Sequence, residues 1–285
     1  MKVEHTIAAV RAALKQARQK GQSIAFVPTM GNLHSGHIQL INEARRRADY
    51  VVSSIFVNPT QFGAGEDFDN YPRTLDADSS QLADAKCDLV FAPSATEMYP
   101  DGRSQLTSVS VASITDVLCG ASRPGHFTGV ATVVTKLFNI IQPDMALFGE
   151  KDYQQLAVIR CMTKELCIPI EIIGIPTVRA EDGLALSSRN GYLSAEARAK
   201  APMLFATLCQ VRDALLSGQD DVEMLTQAAT AHLEKCGFDV DYLVVYSDKL
   251  QSIQPRDDVA VILVAAKLDS TRLIDNLSFQ RKSAK

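Results

Sequence analysis

Ile24-Ala25-Phe26-Val27-Pro28-Thr29-Met30-Gly31-Asn32-Leu33-His34-Ser35-Gly36-His37 runs from a short apolar segment, through a turn rich in glycine and histidine, into a helical period that begins at about Gly36. Such a segment reads as a buried strand, and strand-turn-helix is the first half of a βαβ unit. The order repeats outward. Tyr50-Val51-Val52-Ser53-Ser54-Ile55-Phe56-Val57 is apolar enough to be covered on both faces, as parallel strands are, and Asn58-Pro59 stops it. Further strands are expected at Asp88 to Phe91 and Met145 to Phe148. Helices are expected at about Leu75 to Ala85, Gly129 to Ile141 and Tyr153 to Cys167, with Pro143 and Pro169 as punctuation. The class is α/β.

Between about 175 and 190 the pattern changes. Ile175-Pro176 is followed by the polar loop Glu181-Asp182-Gly183 and then by Ser187-Ser188-Arg189-Asn190-Gly191, so a boundary is placed after residue 176. Residues 1–176 make the larger domain and 177–285 the smaller. Two helices are expected in the latter, at about 195–217 and 221–236, the second opened by Asp220 with Glu223 three residues on, a capping-box pattern. Strands at Asp241 to Tyr246, Val259 to Ala265 and Arg272 to Ile274 complete an antiparallel α+β domain, with Gln280 to Lys285 expected to fray.

The chain of 285 residues is long enough for both domains, and 46% hydrophobic with 22% charged residues is a globular composition. Twenty-nine basic against thirty-three acidic side chains, net -4, argue against a broad nucleic-acid footprint. Met1 to Lys20 interrupts its apolar residues with charge, and no stretch supplies the roughly 20 apolar residues of a membrane span, so a cytoplasmic, membrane-free protein is expected. Cys87, Cys119, Cys161, Cys167, Cys209 and Cys236 form no C-x-x-C pair and have no histidine at ligand spacing, which removes zinc and thioredoxin-type chemistry. They are expected to be reduced, mostly buried thiols.

Strand-to-helix turns bind anions in open α/β sheets, because backbone N–H groups and the helix dipole point outward there. His34 and His37, three apart at a helix start, share a face and could both donate to one phosphate. Two structural histidines in a turn is the plainer account. The chain carries neither a Walker A loop nor a G-x-G-x-x-G fingerprint. Asp76, Asp78 and Gln81 open another helix, where acids are favoured in any case. Arg45-Arg46-Arg47 reads as a solvated helix surface.

His34-Ser35-Gly36-His37 resembles the H-x-G-H signature of the nucleotidylyltransferase superfamily, and Ala185-Leu186-Ser187-Ser188-Arg189-Asn190 resembles its second, mobile signature, with Arg189 in place of a lysine. Phe56-Val57-Asn58-Pro59-Thr60-Gln61-Phe62, Gly125-His126-Phe127-Thr128-Gly129-Val130 and Phe148-Gly149-Glu150-Lys151-Asp152-Tyr153-Gln154-Gln155 narrow the resemblance to the pantothenate synthetase (pantoate–β-alanine ligase) family, in unbroken order from about residue 23 to 193. The resemblance implies a Rossmann-like doubly wound parallel sheet with a second, smaller α+β lid domain. It implies condensation of pantoate with β-alanine through a pantoyl adenylate, with ATP as substrate, AMP and pyrophosphate released, and Mg2+ present. No enzyme nucleophile is required, because adenylation itself activates the carboxylate. By the same resemblance His37, His34, Lys151 and Arg189 are the catalytic candidates. ATP would be bound by Met30, Gly31, Asn32, Leu33, Ser35 and Gly36 with the two histidines, by Gly149, Glu150, Lys151 and Asp152, by the Val178 backbone and by Leu186, Ser187, Ser188 and Arg189. Gln61 and Gln155 would hold pantoate, with Gln61 also on β-alanine; Arg123 and His126 would lie around the phosphates; Asp76, Asp78 and Gln81 are metal candidates, although Ala77 interrupts the acidic run. A homodimer is implied too. A nucleotidylyltransferase that releases a stable product and a non-catalytic nucleotide-binding regulator stay open as alternatives.

Overall fold

Ile24 and Phe26 alternate with Ala25 and Val27, and all four are buried, so this strand is covered on both faces. It is the second of six parallel strands: β1 (Lys2–Glu4), β2 (Ile24–Thr29), β3 (Tyr50–Ile55), β4 (Leu89–Phe91), β5 (Met145–Gly149) and β6 (Glu171–Ile175), in the spatial order β1-β4-β3-β2-β5-β6. The computed structural model describes residues 1–63, 65–102, 106–254 and 256–281. The helices of this part are α1 (Ile7–Gln19), α2 (Ser35–Arg47), α3 (Leu75–Asp84), the single turns α4 (Ala95–Met98) and α5 (Cys119–Ser122), α6 (His126–Ile141) and α7 (Tyr153–Glu165). Ala25, Val27, Val51, Val90 and Leu147 pack with Leu40, Ile41 and Ala44 of α2 on one face. On the other, Phe26 and Phe148 each meet Phe138 of α6 edge to face, with ring centroids 6.5 Å apart. Connections from β2 run one way to β3 and β4, and β5 and β6 continue on the opposite side, so the sheet is doubly wound with its switch point at β2 and β5.

The chain divides into two units, Met1–Glu150 with Gln154–Pro176, and Lys151–Tyr153 with Thr177–Lys285. The second contains α8 (Ala195–Lys200), α9 (Met203–Leu216), α10 (Val222–Lys235) and the antiparallel strands β7 (Asp239–Ser247), β8 (Val259–Leu268) and β9 (Thr271–Gln280), in the order β7-β8-β9. Its core joins Leu204, Leu208 and Leu233 to Ile262 and Val264.

Several expectations are corrected. The helix expected at 195–217 is two, broken at Ala201-Pro202, because proline has no N–H to bond back to the preceding turn. The cap of α10 is Asp221, not Asp220: the Asp221 carboxylate accepts the Met224 N–H at 2.9 Å, the third helical position. The last strand runs on to Gln280, paired with Val259, and Arg281 N–H donates to Asp258 O at 2.8 Å, so the ladder holds the chain where fraying was expected. Residues 282–285 lie outside the described residues. β1 and β6 were not expected. All six cysteines are free thiols, but only Cys87 and Cys119 are buried, and Cys167 is exposed.

Candidate active site

The loop that leaves β2 satisfies itself. Thr29 Oγ1 donates to Ser54 O at 2.7 Å and accepts the Gly31 N–H at 3.2 Å. Gly31 takes φ +84°, and a Cβ there would stand 3.0 Å from Asp78 Oδ2 and 3.1 Å from Ile55 Cγ2, so only glycine fits. Asn32 follows at φ 51°. These two left-handed residues aim successive amides at one carboxylate: Asn32 N–H reaches Asp78 Oδ2 at 2.9 Å and Leu33 N–H reaches Oδ1 at 2.8 Å. His34 is the N-cap of α2. Its Nδ1 accepts the Gly36 N–H at 3.1 Å, while His34 N–H donates to His37 Nδ1 at 3.3 Å, a capping box built from imidazoles whose ring centroids are 4.1 Å apart. With Nδ1 the acceptor in both, each neutral ring carries its proton on Nε2. The amides of Gly31, Asn32, Leu33, His34 and Gly36 therefore bond within the protein. The expectation that the loop's backbone N–H groups point at an anion is corrected for these five.

A second network surrounds Gln61. Asn58 caps the 3-10 turn Pro59–Gln61 and is buried, with its Oδ1 accepting the Tyr99 hydroxyl at 2.8 Å and the Thr60 hydroxyl at 3.1 Å. Its Nδ2 donates to Gln61 Oε1 at 3.1 Å and Gly129 O at 3.3 Å. Gln61 Nε2 is thereby turned toward Met30 Sδ, 3.1 Å away. The turn lies against α6, where a Cβ on Gly129 would be 2.3 Å from Thr60 O. His126 and Arg123 belong to the same cluster. Arg123 chelates Glu66 through two bonds of 2.6 Å and donates to His126 Nε2 at 3.0 Å, so the His126 proton is on Nδ1 and is donated to Gln61 O at 2.8 Å. Burial alone raises the Glu66 carboxyl, but the hydrogen bonds and charge of Arg123 outweigh it and hold it below the usual glutamate range. Asn58, Glu66 and Tyr99 are members that sequence reading missed. Gln155 is half-buried on the first turn of α7. Its neighbour Gln154 is buried and ties α7 to the segment before α6, accepting from Cys119 N–H at 3.1 Å and donating to Ile114 O and Val117 O at 2.7 and 2.8 Å.

The acidic set does not fit a metal ion. Residues two apart on a helix point about 200° apart, and accordingly Asp76 is exposed while Asp78 is 1% exposed. The Asp78 carboxylate also accepts the Thr74 hydroxyl at 3.0 Å, so three protein donors surround it. Asp76, Asp78 and Gln81 are corrected from a ligand set to one loop anchor and two helix residues. Among the described residues no group of three His, Cys, Asp or Glu is arranged to hold a metal.

After Gly149, residues Glu150–Asp152 form a 3-10 turn, in which Lys151 is half-buried. In the second unit, Val178 O accepts the Leu186 N–H at 3.0 Å, which folds 178–186 into a tight antiparallel loop, and Ser187 Oγ caps the turn Ser188–Tyr192 by accepting the Arg189 N–H at 3.3 Å. That loop is fastened by a group the sequence did not reveal. Arg179 chelates the buried Asp275 at 2.7 and 2.9 Å, stacks on Phe205 at 3.5 Å and donates to Gly183 O at 3.1 Å.

A doubly wound parallel sheet with a pair of imidazoles on the loop at its switch point is an architecture that nucleotide-handling α/β enzymes use. The chain belongs to the Pantoate-beta-alanine ligase family, whose sequence model matches residues 2–278. It is 59% identical over 278 residues to the pantothenate synthetase of Pseudomonas putida (strain W619), covering 97% of each chain. Among solved structures, the pantothenate synthetase of Thermus thermophilus superposes with TM-score 0.90 at 47% identity, covering 97% of this chain and 99% of that one. The Francisella tularensis pantoate-beta-alanine ligase, complexed with beta-gamma ATP and beta-alanine, gives 0.79 at 36% identity, covering 97% of each.

Proposed function

We propose that this site forms pantoyl adenylate on the imidazole pair. The chain is an AMP-forming ligase that joins pantoate to β-alanine. A pantoate carboxylate oxygen attacks the α-phosphorus of ATP, and the bond to the bridging oxygen breaks, its electron pair leaving with pyrophosphate. The β-alanine amine then attacks the acyl carbon, the C–O bond breaks with its electron pair leaving on AMP, and the nitrogen gives up one proton as the amide forms. The observation that carries the residue assignment is that Nδ1 of His34 and of His37 each accepts a backbone N–H, which in a neutral ring leaves the proton on Nε2, the kind of donor a phosphate under attack requires.

In this reading Lys151 and Arg189 add positive charge to the phosphates, and Met30 to Gly36, Gly149 to Asp152, Val178 and Leu186 to Ser188 shape the nucleotide pocket. Gln61, its amide oriented by Asn58, and Gln155 hold pantoate; Gln61 also meets β-alanine, and Arg123 with His126 supports Gln61. Residues 177–285 act as the lid. Mg2+ would ride on phosphate oxygens. The enzyme is read as a cytoplasmic homodimer, for which sedimentation is the check on assembly; no described helix is long and apolar enough to cross a membrane. The decisive assay supplies ATP, Mg2+ and pantoate with and without β-alanine. Multiple turnovers of AMP that depend on β-alanine are expected; a stable, released adenylate would make the enzyme a nucleotidylyltransferase. His37→Ala should lower single-turnover adenylation about 10²–10³-fold with the fold intact, as loss of one charge-stabilising donor does.

A further inference from the structure

We infer that Asp78 is a positioning residue that sets the shape of the H-x-G-H loop, and that its carboxylate is part of the protein's framework, not a ligand for an ion. The inference rests on the reading of His34 and His37 as phosphate donors. Asp78 reaches from α3 to the turn after β2, 46 residues earlier in the chain, and accepts the amides of Asn32 and Leu33 and the Thr74 hydroxyl. A carboxylate offers about four lone-pair sites; three are occupied by donors from its own chain. Both amides belong to the residues directly before His34, and Gly31 packs against Asp78 Oδ2. The left-handed pair Gly31-Asn32 is thus fixed from both sides, by glycine's freedom and by the carboxylate's charge. Whatever turns that pair also turns the N-cap, and with it both Nε2–H groups. Asp78 touches no reacting atom in this account; it acts through the loop.

Asp78→Asn is the sharpest variant. It is isosteric, yet its amide nitrogen must face one of two backbone N–H donors, so one loop amide loses its acceptor. Asp78→Glu keeps the charge but adds a methylene that the close contact with Gly31 cannot take. Both should lower single-turnover adenylation at least tenfold and raise the apparent KM for ATP, with the pantoate KM moved less than twofold. The Mg2+ concentration giving half-maximal rate at saturating ATP should stay at the wild-type value, and neither excess Mg2+ nor Mn2+ should restore the rate. A Mg2+ requirement shifted severalfold, or rescue by metal, would overturn the inference in favour of an ion ligand; wild-type ATP KM and adenylation rate in Asp78→Asn would overturn it outright. If Asp78→Asn does not fold, Thr74→Val, which removes one of the three donors, is measured in the same way and should show a smaller rise in ATP KM; no rise counts against the inference. His37→Ala runs in parallel. If it adenylates normally, the reading of the loop as the phosphate site fails; if it is impaired while Asp78→Asn is not, only the present inference fails.

Discussion

In the proposed mechanism His34 has two jobs that a choice of substitution can separate. Its ring caps α2 through Gly36 N–H, and its other nitrogen carries the proton assigned to phosphate. Asparagine is among the best N-caps and alanine among the poorest, a difference of about 1 kcal/mol. His34→Asn should therefore melt close to the wild type yet adenylate slowly, while His34→Ala should lose stability as well as rate; equal melting temperatures for the two would deny the capping role. Acid should act on Glu66. Its folded-state carboxyl is held below the ordinary range, so the stability it contributes is complete above the ordinary glutamate value and is lost as pH falls through the lower, folded one. Acid denaturation curves are expected to show this loss in the wild type and not in Glu66→Gln. A matching acid limb in both would mean that the Arg123 chelate adds nothing.

Among elements, the Pro59–Gln61 turn approaches α6 closely enough that a Cβ on Gly129 would be 2.3 Å from Thr60 O. Gly129→Ala should gain a few tenths to about 1 kcal/mol of helix propensity and lose more, about 1–3 kcal/mol, to overpacking against Thr60 O. Because the displaced turn carries Gln61, a lower melting temperature and a raised pantoate KM are expected together; a higher melting temperature with unchanged KM would contradict the packing. This contact also shows where sequence reading stops. β2, β3 and β5 were legible because continuous apolar runs bounded by turn residues have few other readings. β1 escaped notice because three half-polar residues carry no period, and β6 because Gly174 interrupts Ile172-Ile173 just before Pro176. The histidines could be read from their spacing at a helix start. Asn58, Glu66, Tyr99 and the bonds from the loop to Asp78 could not, since each is tied to a residue 41 to 71 positions away, and distance in sequence leaves no local signal.

For the molecule as a whole, the second unit depends on a charge pair in its interior. Removing one partner of a buried, hydrogen-bonded pair typically costs about 3–5 kcal/mol, because the survivor stays buried alone, whereas replacing both with apolar residues is often close to neutral. Arg179→Ala should thus destabilise the protein by that order in denaturant titration, and Arg179→Met with Asp275→Leu should recover most of it. Loss of ATP turnover in the recovered double variant would assign the pair to the shape of the Val178–Leu186 loop; retained turnover would assign it to stability alone. The self-satisfied turn after β2 has a consequence for time as well as for shape. Amides held by a desolvated carboxylate are shielded from solvent exchange, so the deuterium uptake of Asn32 and Leu33 should follow the slow strands of the sheet and not the fast surface loops. Saturating nucleotide should leave those two rates almost where they were, because folding has already finished that part of the surface before any ligand arrives.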